Sequence, residues 1–225
     1  MPSVSWIVSF SLLVISFLSI VFASMFFAKP VDNYKVSFMR MFPFEMPKTA
    51  ENNGKFYSFS TYLFSGMCFS PIIVIVEEST KLSSINPLSI LIACILGLAA
   101  LCFVFLNVFD VTHVKPHLVL FAIFALLTLL SSALVAVRGF IAFDVFRKHS
   151  STEPLFMVSA IFEAVIVVFL LCLIVNPKLR FWAKLDLVDG EYVRPKRFPL
   201  AYSEWGILLA LFLTEASYFV QLLIK

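Results

Sequence analysis

The sequence predicts an all-α, polytopic membrane protein with six transmembrane helices, and two observations carry that prediction. Of 225 residues, 61% are apolar and only 14% charged, with a mean hydropathy of +0.98. A soluble domain is nearer half apolar and a quarter charged. Second, six separate runs reach the roughly 20 mostly apolar residues that a helix needs to cross a bilayer core. These are residues 4–28, 56–76, 87–109, 117–137, 154–176 and 201–224. Together they read as one six-helix transmembrane domain over residues 1–225, and the connections leave no length for a separate soluble unit.

The first run has no Lys or Arg before it and is longer than the apolar core of a secretion signal, so it reads as a retained helix. Along it Ser5, Ser9, Leu12, Ser16, Ser19 and Ala23 recur in steps of four and three. Lipid gives helices no hydrophobic reason to associate, so small residues at this spacing mark a packing face. Ser58, Thr61, Ser65 and Cys68 repeat the pattern in the second run, with Gly66 beside them. Pro71 lies inside that run and predicts a kink, which membrane helices tolerate. In the third run Ala93 and Gly97 form a small-xxx-small pair. Pro87 and Pro154 stand in the first turns of the third and fifth runs, where a missing N–H costs nothing. Hydroxyls in all these runs can satisfy themselves on their own backbone carbonyls.

Lys and Arg are unevenly divided between the two sides. The loop at 29–55 holds five, the third loop holds Lys115, and the loop at 177–200 holds six. The other side has Lys81, Arg138, Arg147, Lys148 and Lys225. An excess of basic residues beside spans marks the cytoplasmic face. The expectation is therefore a multi-pass protein, of a cell membrane ahead of an organelle, with loops 29–55 and 177–200 cytoplasmic and both termini outside.

Cys68, Cys94, Cys102 and Cys172 all fall in apolar runs without a CxxC pair, which reads as four small buried residues rather than disulfides or a zinc site. No phosphate-binding glycine loop, dinucleotide fingerprint, H-E-x-x-H helix or nucleophile elbow occurs, so no cofactor and no covalent catalytic machinery are expected. Nothing in the charge pattern suggests nucleic acid.

The sharpest functional signal is three glutamates inside apolar runs: Glu163, Glu204 and Glu215. A carboxylate in hydrocarbon costs roughly 2.5–3.5 kcal/mol on insertion scales unless paired, protonated or facing water. Glu204 and Glu215 are eleven residues apart, about 20° from full turns, and so share a helix face about 16 Å apart. Glu204 lies near the cytoplasmic boundary and is expected to reach water at the interface. Glu215 lies about 21 Å in, which in a core of about 30 Å leaves about 9 Å to the far side. Glu163 enters from that far side and lies about 13 Å deep. The pair Glu163 and Glu215 thus converges in depth, with Arg138 as a candidate partner. One proton shared between two such carboxylates is the cheapest state, which makes a proton or cation site. A buried pair that only fixes helix packing is the structural alternative.

Asp110, His113 and His117 form the one candidate metal set, at the turn between the third and fourth runs. Pro116 interrupts their helix, and a polar interfacial turn is the favoured reading, so no metal is expected. Asp186, Asp189, Gly190 and Arg194 resemble the first half of the CDP-alcohol phosphotransferase signature. The second half fails, because Ala210 and Thr214 follow Gly206 where that family has aspartates. Asp189-Gly190 between short apolar-alternating stretches instead predicts a small β-hairpin in the last cytoplasmic loop. After it, Arg194, Lys196 and Arg197 suit anionic lipid headgroups at the interface. Residues 36–47 interleave Phe and Met with Arg40 and Glu45, and suit burial in the interface, folding back under the helices, or docking of a partner.

The leading functional expectation is a small-solute, proton or cation transporter or channel with a polar cavity around Glu163 and Glu215. The alternative is an accessory subunit of a membrane complex that docks another membrane protein through its cytoplasmic loops. A membrane-embedded enzyme using Asp110, His113 and His117 ranks third.

Overall fold

The computed structural model describes residues 3–26, 39, 41–43, 53–82, 86–109, 114–146, 153–177, 179, 186–188, 191–193 and 197–223. The architecture is all-helical, with six stretches long and apolar enough to cross a membrane. In chain order the helices are α1 (Val4–Phe26), α2 (Asn53–Met67), α3 (Pro71–Leu82), α4 (Pro87–Val108), α5 (Val114–Phe146), α6 (Glu153–Ile174) and α7 (Pro199–Leu223). Helices α2 and α3 together make the second span.

Pro71 breaks the second span rather than kinking it. Its ring nitrogen cannot donate to the Met67 carbonyl, which accepts instead from the Ser70 amide (3.0 Å) and the Ser70 hydroxyl (2.6 Å). The turn tightens: the Phe69 amide bonds Gly66 O at 3.2 Å and the Ile72 amide bonds Phe69 O at 3.2 Å. The displaced Phe69 ring lies where a Cβ on Gly97 of α4 would stand, so this approach requires glycine at 97.

The start of α4 shows how the sequence sets a boundary. Asn86 accepts from the Leu88 amide at 3.0 Å through its side chain, and Pro87 occupies the first helical position. Helix α5 is longer than the predicted 117–137. It begins at Val114, which places Pro116 in a tolerated first turn, and it continues to Phe146 past Arg138 and Asp144. Neither charge ends the helix, because exposed Phe140 and Ile141 continue its apolar surface around them.

Successive spans lie side by side, and α7 forms the interior of the bundle, touching α1, α3, α4, α5 and α6. Aromatic packing joins α1 to α7: Phe17 stacks on Phe212 at 4.0 Å between centroids, and Trp6 Nε1 donates to Phe219 O at 2.8 Å. The small-residue stripes turn inward, with Ser9, Ser16, Ala23, Thr61, Ser65, Cys68 and Ala93 all buried. Their hydroxyls do back-bond locally, as Ser16 to Leu13 O (2.9 Å) and Thr61 to Tyr57 O (3.0 Å) show. On the outside, α6 presents Val158, Phe162, Val165 and Phe169, a surface suited to lipid.

In the last loop Asp186–Val188 and Glu191–Val193 pair antiparallel over three residues each, with Leu187 opposite Tyr192. This pairing forms no layer of the fold, and the predicted turn residues Asp189 and Gly190 lie outside the described residues. A β-hairpin as an element of the architecture is therefore not supported.

Candidate functional site

Polar side chains gather on α7 at three levels. The first contains Glu204, which is buried at 2% exposure rather than open to water as expected. Its Oε1 lies 2.7 Å from Nε2 of His117 on α5, which is 0% exposed. The other ring nitrogen, Nδ1, lies 2.8 Å from the carbonyl oxygen of Phe109, just past the end of α4. Helix α5 brings His117 here because it starts at Val114, which puts His117 in its first turn facing α7. A short segment covers this level. Met39 O accepts from the Phe198 amide at 2.7 Å, and Met41 O accepts from Trp205 Nε1 at 2.9 Å. Phe42 stands edge-on to both His117 and Phe198. The segment thus folds back under the helices, and its Met41, Phe42 and Pro43 are buried.

The metal reading of this region changes accordingly. Both nitrogens of His117 are taken, while Asp110 and His113 lie outside the described residues. Among the described residues no group of three His, Cys, Asp or Glu could hold a metal. Arg194 and Lys196 also lie outside the described residues, and Arg197 is exposed.

The second level joins α5, α6 and α7. Thr214 donates to Oε2 of Glu163 at 3.0 Å, and its hydroxyl lies 2.7 Å from Ser132. Glu163 therefore meets α7 at the residue before Glu215, so the two carboxylates occupy one level of the bundle. They are not hydrogen-bonded to each other, because neighbouring positions on a helix point about 100° apart. Glu215 lies within electrostatic reach of Cys68 and Tyr218. Both of its oxygens are buried without a hydrogen-bond partner among the described residues, and so is Oε1 of Glu163.

The third level is built around Arg138, which does not touch Glu163. Arg138 Nη1 donates to Gln221 Oε1 at 2.9 Å, its Nε lies 3.4 Å from Ser89 Oγ, and its guanidinium sits over the Tyr218 ring. The Gln221 amide nitrogen donates to Val135 O (3.0 Å) and to Ser159 Oγ (2.9 Å). That orientation is forced, since the reverse would set NH2 against a guanidinium and oxygen against a carbonyl. Ser159 accepts from Gln221, and its Oγ lies 2.9 Å from Ser217 Oγ, where either hydroxyl can donate. Ser217 in turn faces Glu163. Donation runs from the Arg138 cation to Gln221 and from Gln221 to Ser159. Gly139 makes room for this, because a Cβ there would fall 2.9 Å from both Ala160 Cβ and Gln221 Nε2.

A groove of about 320 Å³ lies beside the Pro71 break, lined by Tyr62, Ser65, Gly66, Phe69, Leu101 and Val104. It is apolar and opens outward, and neither Glu163 nor Glu215 lines it.

Sequence reasoning missed the His117–Glu204 pair and the partners of Glu163. The signal for Glu163 was present in the register of Thr214, Ser217 and Gln221 on one face of α7. The six spans and these buried polar levels define a multi-pass integral membrane protein. No protein-family model, curated protein or solved structure matches the chain.

Proposed function

We propose that this protein binds and passes a proton or small cation at the level of Glu163 and Glu215, acting as a proton-, cation- or small-solute transporter or channel. The observation that carries this reading is Glu215. Its side chain is 0% exposed and both carboxyl oxygens lack a partner among the described residues. A buried acceptor left unmade costs about 1–3 kcal/mol, and more when charged. A carboxyl kept only to lock helices together would have donors, as Glu204 has. An intramembrane carboxyl without them is a ligand site waiting for a proton or cation. Glu163 adds a third oxygen without a hydrogen-bond partner among the described residues, at the same level.

The accessory-subunit reading draws less support. Met41, Phe42 and Pro43, three residues of the first-loop stretch offered for docking, are buried against the protein's own helices. The orientation with residues 29–55 and 177–200 cytoplasmic rests on their twelve-to-five share, with Lys115, of the basic residues.

The test is ion flux into liposomes containing the purified protein, with a proton or alkali-cation gradient imposed. Glu215→Gln is expected to lower the flux at least about tenfold, the effect of losing roughly 1.4 kcal/mol at a binding step. Folded Glu215→Gln and Glu163→Gln proteins with wild-type flux would overturn the reading.

A further inference from the structure

The His117–Glu204 pair is not used in the proposed transport, and its geometry says more than that it is an ion pair. A backbone carbonyl can only accept, so the contact of His117 Nδ1 with Phe109 O requires the hydrogen to sit on Nδ1. Nε2 then carries a hydrogen only if the ring is cationic. At 2.7 Å from Glu204 Oε1, one proton has to lie between the two atoms. It belongs either to an imidazolium facing a carboxylate or to a carboxylic acid facing a neutral ring. Remove it, and a nitrogen lone pair faces a carboxylate lone pair, and the contact cannot persist.

We propose that His117 and Glu204 form a proton-binding site that clamps the ends of α4, α5 and α7 together only while one proton is held between them. Phe109 supplies the α4 side, His117 the α5 side and Glu204 the α7 side. Among the described residues, Tyr57 of α2 is a titratable neighbour within electrostatic reach of Glu204, and it hydrogen-bonds Asn107 of α4 at 3.3 Å. Lys115, two residues before His117, points outward and is exposed. The described residues of the covering stretch, Met39, Met41, Phe42 and Pro43, carry no charge. Phe42 against His117, with Trp205 bonded to Met41 O, separates the site from water. Losing the proton therefore loosens the contact over which this segment packs.

The replacement Glu204→Gln distinguishes a proton site from a fixed structural pair. A glutamine amide donates its own hydrogen to a neutral Nε2, so the clamp forms without the shared proton. The expected result is that wild type loses unfolding temperature as pH rises from mildly acidic to alkaline, by about 5 °C. Glu204→Gln is expected to show a flatter profile. Over the same range the folded wild-type protein is expected to release one more proton per chain than the variant. Identical profiles and equal proton release would overturn the proposal. Should the variant not fold, infrared spectra of wild type with 13C-labelled glutamate and labelled histidine give the answer. A carboxyl band and a histidine band that change together within the folded range support the clamp, and bands constant over that range overturn it. These readouts need no flux, so they stand or fall apart from the transport reading.

Discussion

Glu204 and Glu215 share one helix, one face and one burial, yet their surroundings differ completely. Glu204 has a histidine at 2.7 Å whose far nitrogen is fixed by a carbonyl. Glu215, about 16 Å along α7, has two oxygens with no hydrogen-bond partner among the described residues. Burial alone therefore does not mark a functional carboxyl. Completeness of hydrogen bonding is what separates the two, and the proposed function rests on that difference.

The largest effect that sharpens this contrast is expected at Glu204. Glu204→Leu strands His117 in a buried site and is expected to cost about 3–5 kcal/mol, read as a shift in the unfolding midpoint. Glu215→Leu is expected to do the opposite, raising stability by about 1 kcal/mol or more while abolishing flux, because it removes a polar group with no partner. Equal destabilisation by the two leucines would break the comparison. Gly97→Ala tests the broken second span next to Glu215. The added methyl meets the Phe69 ring and is expected to cost about 1–3 kcal/mol. Thr214→Val removes the donor to Glu163 and is expected to cost about 1–2 kcal/mol in stability. It should alter flux less than Glu215→Gln does, since Glu163 keeps Ser217 beside it.

Much of the architecture was legible from residues alone. Span count follows from the length of apolar runs, because bilayer thickness sets one required length. The start of α4 follows from Asn86-Pro87, and the buried faces of α1 and α2 follow from serine and threonine spacing. What escaped was tertiary. His117 and Glu204 are 87 residues apart, and no local pattern says which helices will be neighbours. Glu204 looked interfacial because only distance from the end of its apolar run was available. Its covering segment, Met39 to Pro43, comes from a different loop. The extension of α5 to Phe146 was hidden by Arg138, whose cost inside the bundle is offset by Gln221, Ser89 and the Tyr218 ring. The depth of Glu163 and Glu215 could be calculated from helical rise. The partners of each could not, because a rotation of about 100° between Thr214 and Glu215 decides which one meets α6.

The most direct test of the contrast is covalent labelling of the membrane-embedded protein with an apolar carbodiimide, which reacts with protonated carboxyls in hydrocarbon. The labelled residues would be mapped by mass spectrometry. The account predicts modification of Glu215, slowed when sodium or potassium ions are added or the pH is raised, with Glu204 protected by His117. Labelling of Glu204 in preference to Glu215, or an unreactive Glu215 in folded protein at every pH, would contradict it.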